Sequence, residues 1–301
     1  MSLGCTSSAP RQNDRADAHT AVSSRSLADD GFLDGAASAS ATTSASASVI
    51  ASASAPAAPE PIVNPDRAAV VRALGGRRAR VFGPSIPGVV RTFTTDRDQL
   101  ALTLDLCEGR TDAAFDEELF DLLHEHHIKA TIFVSGKWAP HHATLVSKLE
   151  ADPLFEVENH GAHHRPCSVD GSSAFGIGGT RDLASAVDEI EDNELTLETL
   201  IARRPKLYRS GTAYFDDVCV AAAAKLGVIP VGFSVSGDGG TGFTRSQVRR
   251  TLEGAKPGAI IVLHAHRPKR ASAEGLADAL PALEKRGVEF VLLSEVLGGK
   301  R

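Results

Sequence analysis

The sequence predicts an α/β fold built on a parallel sheet, and three observations carry that prediction. Stretches of strand length alternate with stretches whose apolar residues recur at helical spacing. Several strand candidates, such as Ile260 to Leu263, are apolar throughout, as strands covered on both faces are. Polar, Gly-rich segments follow these runs at their carboxyl ends, the rim where α/β barrels and open sheets place their chemistry.

Residues 36–58 are almost wholly Ala and Ser with some Thr and Pro, too little apolar surface to offset chain entropy, so 1–61 is expected to be a disordered tail or linker. A helix and connector are expected over 62–97. Asn64-Pro65-Asp66 offers a cap and a first-turn Pro, Ala68 to Leu74 the helix, and Gly75-Gly76 its end. The remaining domain, 98–301, opens with a strand over Leu100 to Leu106 and a helix whose face carries Phe115, Leu119, Leu122 and Leu123. Ile128 to Val134 is the second strand, His141 to Glu150 a short helix and Phe155 to Asn159 the third strand. A long helix capped by Thr180 carries Leu183, Val187, Ile190, Leu197 and Ile201. Further strands are expected at Leu207 to Arg209, Ile229 to Val235, Ala259 to His264 and Val288 to Leu293. The helices between them span Tyr214 to Leu226, Thr244 to Glu253 and Ala273 to Lys285.

The 301 residues and 42 % hydrophobic content allow a sizeable core, and the folded part, ~230 to 240 residues, has a usual size for one α/β barrel. A formal net charge of -6 argues against nucleic acid as a partner, since phosphate binding needs clustered Lys and Arg. No apolar run is long enough to span a membrane. Met1-Ser2-Leu3-Gly4-Cys5 resembles the end of a bacterial lipoprotein signal, in which a small residue precedes the Cys that is lipidated, although the usual apolar segment does not precede it here. An extracytoplasmic protein is therefore expected, with membrane contact only through a candidate N-terminal lipid anchor. Of the four cysteines, Cys219 reads as a small core residue, while Cys107 and Cys167 are a candidate disulfide pair that spacing alone does not establish.

The chemistry is centred on His160 and His164, four residues apart just after a strand. On one helical turn such a pair faces the same way, and two neutral imidazoles can share a divalent ion with a third protein ligand and a water. Two histidines at this spacing also occur by chance, so the rest of the chain decides. Asp105, Glu108, Arg209, Asp238 and His264 join them at successive strand ends. Singly, each has a plainer reading as a cap, surface group, turn former or core histidine; together they suggest a site.

The order of these segments resembles the polysaccharide deacetylase family, the NodB-homology or carbohydrate esterase family 4 domain, over about Asp98 to Leu297. Leu102-Thr103-Leu104-Asp105 resembles its first motif, Thr-Phe-Asp-Asp-Gly, and Ile132 to Trp138 the strand and turn that follow. Asn159-His160 through His164-Arg165-Pro166 resembles its metal motif, Arg209 the third-motif arginine, and Ile261-Val262-Leu263-His264 the last motif. The resemblance implies a distorted (β/α) barrel with fewer than eight strands. It implies hydrolysis of N- or O-acetyl groups on a cell-wall or secreted polysaccharide, with one divalent ion, Zn first among them. By position, Asp105 matches the catalytic base, His160 and His164 the metal ligands, Arg209 the residue that orients the base and His264 the general acid. Thr212 falls where a backbone N–H completes the oxyanion hole, and Asp238 lies near the acid that pairs with the last-motif histidine.

The departures are informative. The family's second aspartate, its third metal ligand, is Leu106 here. Glu108 reaching back, or Asp105 binding metal and acting as base together, would supply the ligand. Cys107 as thiolate ranks behind them, because hydrolytic sites of this kind usually use carboxylate. Ser210-Gly211-Thr212 replaces the usual Pro-Pro-Tyr. His163 and His266 read as supporting or solvated neighbours, and Trp138 as a core residue rather than a sugar platform. Two competing readings stay open: a glycan-binding surface protein with impaired catalysis, and an amidohydrolase for a small non-glycan C–N bond.

Overall fold

The structure, a computed structural model, describes residues 67–111 and 114–298. The expected tail over 1–61, Cys5 and the Asn64-Pro65-Asp66 helix start lie outside the described residues. The chain order is α1 (Arg67–Leu74), β1 (Phe82–Gly83), β2 (Gln99–Leu106), α2 (Glu117–Glu125), β3 (Ala130–Val134), α3 (Ala143–Ala151), β4 (Phe155–Asn159) and α4 (Leu183–Ile201). It continues with β5 (Leu207–Tyr208), β6 (Phe215–Asp216), α5 (Asp217–Lys225), β7 (Ile229–Pro230), β8 (Val235–Ser236), α6 (Arg245–Glu253), β9 (Ile260–His264), α7 (Ser272–Arg286), β10 (Glu289–Phe290) and α8 (Leu293–Val296).

Seven parallel strands run in the order β7-β5-β4-β3-β2-β9-β8, and β10 adds to the start of β2. Both ends of the row, β7 and β8, come from one short stretch of chain, so the sheet is curled into an incomplete barrel, as the family resemblance implied. β1 and β6 form a separate antiparallel pair.

Strand alternation decides what each face of β2 does. Leu100, Leu102, Leu104 and Leu106 point outward into a core shared with Leu119 and Leu123 of α2, Val248 of α6 and Leu276 of α7. Ala101 points into the barrel with Phe133, Val231 and Ile260, and Thr103 and Asp105 follow it on that inner face. A second core joins α1, α4 and α5 through Val70, Val187, Ile190, Cys219 and Ala222.

Register then aligns the strand ends. Asp105 sits beside His264 on β9, and Asn159 beside Tyr208 on β5, so the next residues, His160 and Arg209, leave the sheet together.

Several boundaries differ from those expected. α4 is capped by Asp182, whose side chain accepts the Ser185 N–H, and not by Thr180, which is buried and bonded to Ser168. α5 starts at Asp217, because Phe215 and Asp216 pair with β1 and the Asp216 carboxylate caps the helix. The expected strand 229–235 is two short strands: the chain leaves the sheet between them, and Gly232 gives its carbonyl to Arg209. The expected last strand keeps only Glu289–Phe290 before α8 begins.

β4 and β5 are held together by a buried ionic group. Arg203 donates to Glu150, to Glu158 Oε1 at 2.9 Å and to the Val157 carbonyl at 2.7 Å. Glu158 Oε2 in turn accepts the N–H groups of Lys206 and Leu207 at 2.8 and 2.7 Å. Burial pushes Glu158 up to about 7 against the pull of Arg203, so its charge depends on that partner. Arg203→Ala leaves a carboxylate buried without its cation and is expected to cost about 3 kcal/mol in urea unfolding; a loss below ~0.5 kcal/mol, the size of a surface change, would contradict this account.

Candidate active site

Arg209 is completely buried just past β5. Its Nη1 donates to Asp105 Oδ1 at 2.6 Å and to Thr103 Oγ1 at 2.8 Å, and Nη2 donates to the Gly232 carbonyl at 3.1 Å. The guanidinium also lies 4.1 Å from the Phe133 ring centroid. Burial opposes the charge on Asp105, yet Arg209, His160 and His264 outweigh it and hold the carboxyl below its ordinary 3.8. Asp105 is therefore an ionised, oriented carboxylate whose second oxygen faces His160 Nε2 at 3.6 Å.

His160 Nδ1 is 2.9 Å from the Arg209 carbonyl oxygen. A carbonyl only accepts, so Nδ1 carries the proton and Nε2 is left with its lone pair directed at the site. Burial keeps this ring neutral by lowering its pKa from 6.5. His164 meets it edge to face, ring centroids 4.7 Å apart, and burial with the neighbouring His160 presses His164 down to about 2.

The two histidines do not lie on a helix, as their spacing suggested. Gly161 at φ 78° and His164 at φ 55° make a loop instead, and that loop folds both rings to one point. Glu189 of α4 holds it by accepting the N–H groups of His163 and Arg165 at 3.0 Å each. Gly211 closes the far side: a Cβ there would lie 2.2 Å from the His164 carbonyl.

Cys107 completes this group. The chain stays pinned to β3 beyond the end of β2, with Ser135 N donating to the Leu106 carbonyl at 3.1 Å and Ser135 Oγ to the Cys107 carbonyl. Alternation then places the Cys107 side chain on the face that carries Asp105, with Sγ 3.6 Å from His160 Nε2. One donor atom each from Cys107, His160 and His164 lies within 4.8 Å of the others. Burial and Asp105 push the Cys107 thiol well up; a bound cation inverts that balance and takes the thiolate. Two imidazoles and a thiol are donors that suit a borderline-soft divalent ion. Glu108 and Asp105 fall outside this group. The Glu108 side chain is 56 % exposed and lies 3.8 Å from Lys137 Nζ.

Beside Asp105, at the end of the neighbouring strand β9, stands a second carboxylate–imidazole pair. Asp238 accepts from His264 Nδ1 at 3.0 Å, from the His264 backbone N–H at 2.7 Å and from Ser272 Oγ at 3.1 Å. Burial works against the charged ring, but Asp238 overrides it and raises His264 above 6.5. Asp238 itself is lowered in spite of burial by its bonds to His264. A cleft of about 710 Å³ joins the two halves, lined by Asp105, Cys107, His164, Thr212, His264 and His266 among others. Thr212 sits on its wall in a left-handed turn at φ 69°.

The sequence-predicted residues Asp105, His160, His164, Arg209, Thr212, Asp238 and His264 thus meet at one rim. Trp138 is core, stacked on His142 and donating to the Ala114 carbonyl. Cys107 and Cys167 are separate: Cys167 packs with Tyr208, Phe215 and Cys219 in another cluster, so the candidate disulfide is not formed and both are free thiols. Glu189 escaped the sequence reading because it stands between apolar positions of a helix and has no motif. His266 touches the Asp105 carbonyl at 3.3 Å, and burial, with His264 beside it, lowers it to about 4.

A family model described as polysaccharide deacetylase matches residues 93–231. Asp238 and His264 lie beyond that match. Over 202 residues the chain is 26 % identical to a peptidoglycan-N-acetylglucosamine deacetylase of Bacillus cereus, covering 66 % of this chain and 87 % of the relative. It is 22 % identical over 191 residues to the peptidoglycan-N-acetylmuramic acid deacetylase PdaA of Bacillus subtilis, 61 % of this chain and 66 % of that protein. The solved structure of B. subtilis PdaA superposes with a TM-score of 0.59 at 19 % identity, covering 78 % of this chain and 89 % of that one. A carbohydrate esterase family 4 pseudoenzyme from Bacillus anthracis superposes equally well, TM-score 0.59 at 19 % identity over 72 % and 71 % of the two chains, so likeness of fold by itself does not separate active from inactive members. The motifs at the strand ends, the curled parallel sheet and these matches agree in likening this chain, over residues 93–231, to the polysaccharide deacetylase family.

Proposed function

We propose that the protein is a metal-dependent deacetylase that removes acetyl groups from the polysaccharide of the bacterial cell envelope, with peptidoglycan first among substrates. One observation carries this reading: the Arg209–Asp105 and Asp238–His264 pairs stand side by side at the ends of β2 and β9 on one cleft, with His160 and His164 next to Asp105. Peptidoglycan enters from what the Bacillus relatives are named for. Among the described residues no helix is long and apolar enough to cross a membrane, and attachment through Cys5 is part of the same proposal.

His160 and His164 would hold the ion, zinc being the first choice for such donors. The chemistry it would supply is Lewis-acid polarisation of the acetyl carbonyl and a water acidic enough to act near neutral pH. Asp105, ionised and aimed by Arg209, takes the proton of the attacking water. The Thr212 backbone N–H, on the cleft wall, would receive the developing oxyanion. His264, charged and held through Nδ1 by Asp238, keeps Nε2 for the leaving amine and donates its proton there. Phe175 stands at the cleft rim, 80 % exposed, in an edge-to-face contact with Tyr214, ring centroids 5.4 Å apart. Its open face suits stacking against a sugar ring.

Acetate release from purified peptidoglycan tests the reading, with an O-acetylated glycan alongside. No acetate from either at full metal occupancy would favour the glycan-binding alternative, for which Leu106 in place of an aspartate is the one specific support. Asp105→Asn and His264→Ala should each lower kcat ~10²- to 10⁴-fold while metal is retained, and His160→Ala should lose the metal. Activity needs Asp105 ionised and His264 protonated, so its alkaline limb lies above 6.5. Asp238→Asn withdraws what raises His264, so that limb should move to lower pH; a profile unchanged in Asp238→Asn would refute the assignment of His264 as acid. Phe175→Ala should raise KM for polymer with kcat unchanged.

A further inference from the structure

We infer that Cys107 is the third protein ligand of the metal, so that this chain carries a thiolate–bis-imidazole site for thiophilic ions where a carboxylate was expected. Its bearing on catalysis rests on the deacetylase reading above, but the ligand set itself rests on geometry.

Four observations converge. The position of the missing aspartate, Leu106, points outward and is wholly buried in the core with Leu102, Leu104 and Leu119, so nothing at 106 reaches the histidines. Cys107 is on the opposite face, 5 % exposed, with Sγ 3.6 Å from the very His160 nitrogen that the Arg209 carbonyl leaves unprotonated. Glu108, the alternative carboxylate, stands at the cleft rim 3.8 Å from Lys137 Nζ and falls outside the donor group. Asp105 has one oxygen committed to Arg209 at 2.6 Å, which suits a base better than a ligand. Among the described residues, Cys107, His160 and His164 form the group of donors with metal-ligand spacing.

The chemistry of uptake is balanced without any redox partner. The S–H bond of Cys107 breaks, its proton leaves to buffer, and the sulfur electron pair forms the bond to the ion. One proton is released from Cys107 for each ion taken up. Thiolate and imidazole donors favour zinc, cobalt and cadmium over magnesium and manganese, which prefer oxygen. The same bond links occupancy to oxidants: oxidation of Cys107 to the sulfenic acid by a peroxide, which leaves as water or alcohol, removes the thiolate ligand, and the ion competes by keeping the sulfur bonded.

The experiment uses the full chain loaded with Co²⁺ at one ion per chain, read by absorbance. A thiolate ligand produces a sulfur-to-cobalt charge-transfer band in the near ultraviolet that imidazole and carboxylate ligands do not. The band is expected in wild type and in Glu108→Ala, and is expected to be lost in Cys107→Ser. Cys107→Asp, which restores a carboxylate, should bind one Co²⁺ without the band and with an unchanged circular dichroism spectrum, so the loss does not rest on a misfolded variant. Zn²⁺ affinity of Cys107→Ser should fall ~100-fold or more, at or above the upper end of what loss of an outer-shell partner costs. Wild type that binds one Co²⁺ without the band, a band that survives Cys107→Ser, or failure of wild type to bind Co²⁺ would each overturn the assignment. Acetate release measured on the same samples separates the two questions. Turnover without the band removes the thiolate ligand and keeps the deacetylase; a band without turnover keeps the ligand and removes the deacetylase.

Discussion

Arg209 has no access to solvent, and its guanidinium is held there by partners on both Nη atoms and a ring beneath it, while Nε stays unpartnered. Asp105 supplies the opposite charge, Thr103 and Gly232 supply acceptors and Phe133 a ring face. Removing either charge would leave the other buried and unpaired, among the costliest defects a fold can carry. The pair also joins three parts of the chain, the inner face of β2, the end of β5 and the break before β8. The Arg209 carbonyl then fixes the proton on His160. A single buried ion pair thus sets the orientation of the Asp105 carboxylate and the tautomer of His160.

The site divides its two imidazole roles by environment. Beside His264 stands a carboxylate with three other donors to hold its charge, and the ring is raised. Beside His164 stands another imidazole in a buried loop, and the ring is driven neutral. Charged for proton donation and neutral for metal binding are what the two chemistries require. The loop geometry behind this depends on Gly161, Gly211 and the Glu189 carboxylate as much as on the histidines themselves.

Much of this was legible in the sequence. The long runs that became β2, β3, β4 and β9 announced the parallel sheet, because a strand buried on both faces leaves little choice of side chain. Asp105, His160, His164, Arg209 and His264 could be placed from their positions after those runs. Legibility ended where side-chain direction decides. Glu108 and Cys107 are adjacent in the sequence, and only the persistence of the strand past Leu106, secured by Ser135, brings Cys107 to the histidines and leaves Glu108 at the exposed cleft rim by Lys137. The four-residue histidine spacing suggested a helix that a left-handed His164 replaces. Cys167 looked like a partner for Cys107 because both follow motifs, yet the fold gives it to the cluster of Cys219. The tail to residue 61 lies outside the described residues, and the sequence remains its only source.

Anomalous diffraction from crystals of the zinc-loaded protein, with data on either side of the zinc edge, tests the central claim most directly. The account predicts one anomalous peak per chain, bonded to Cys107 Sγ, His160 Nε2 and a ring nitrogen of His164, with Asp105 and His264 side by side in the same cleft. A peak bonded to Glu108 or to Asp105 in place of Cys107, or no peak at the histidine pair, would contradict it.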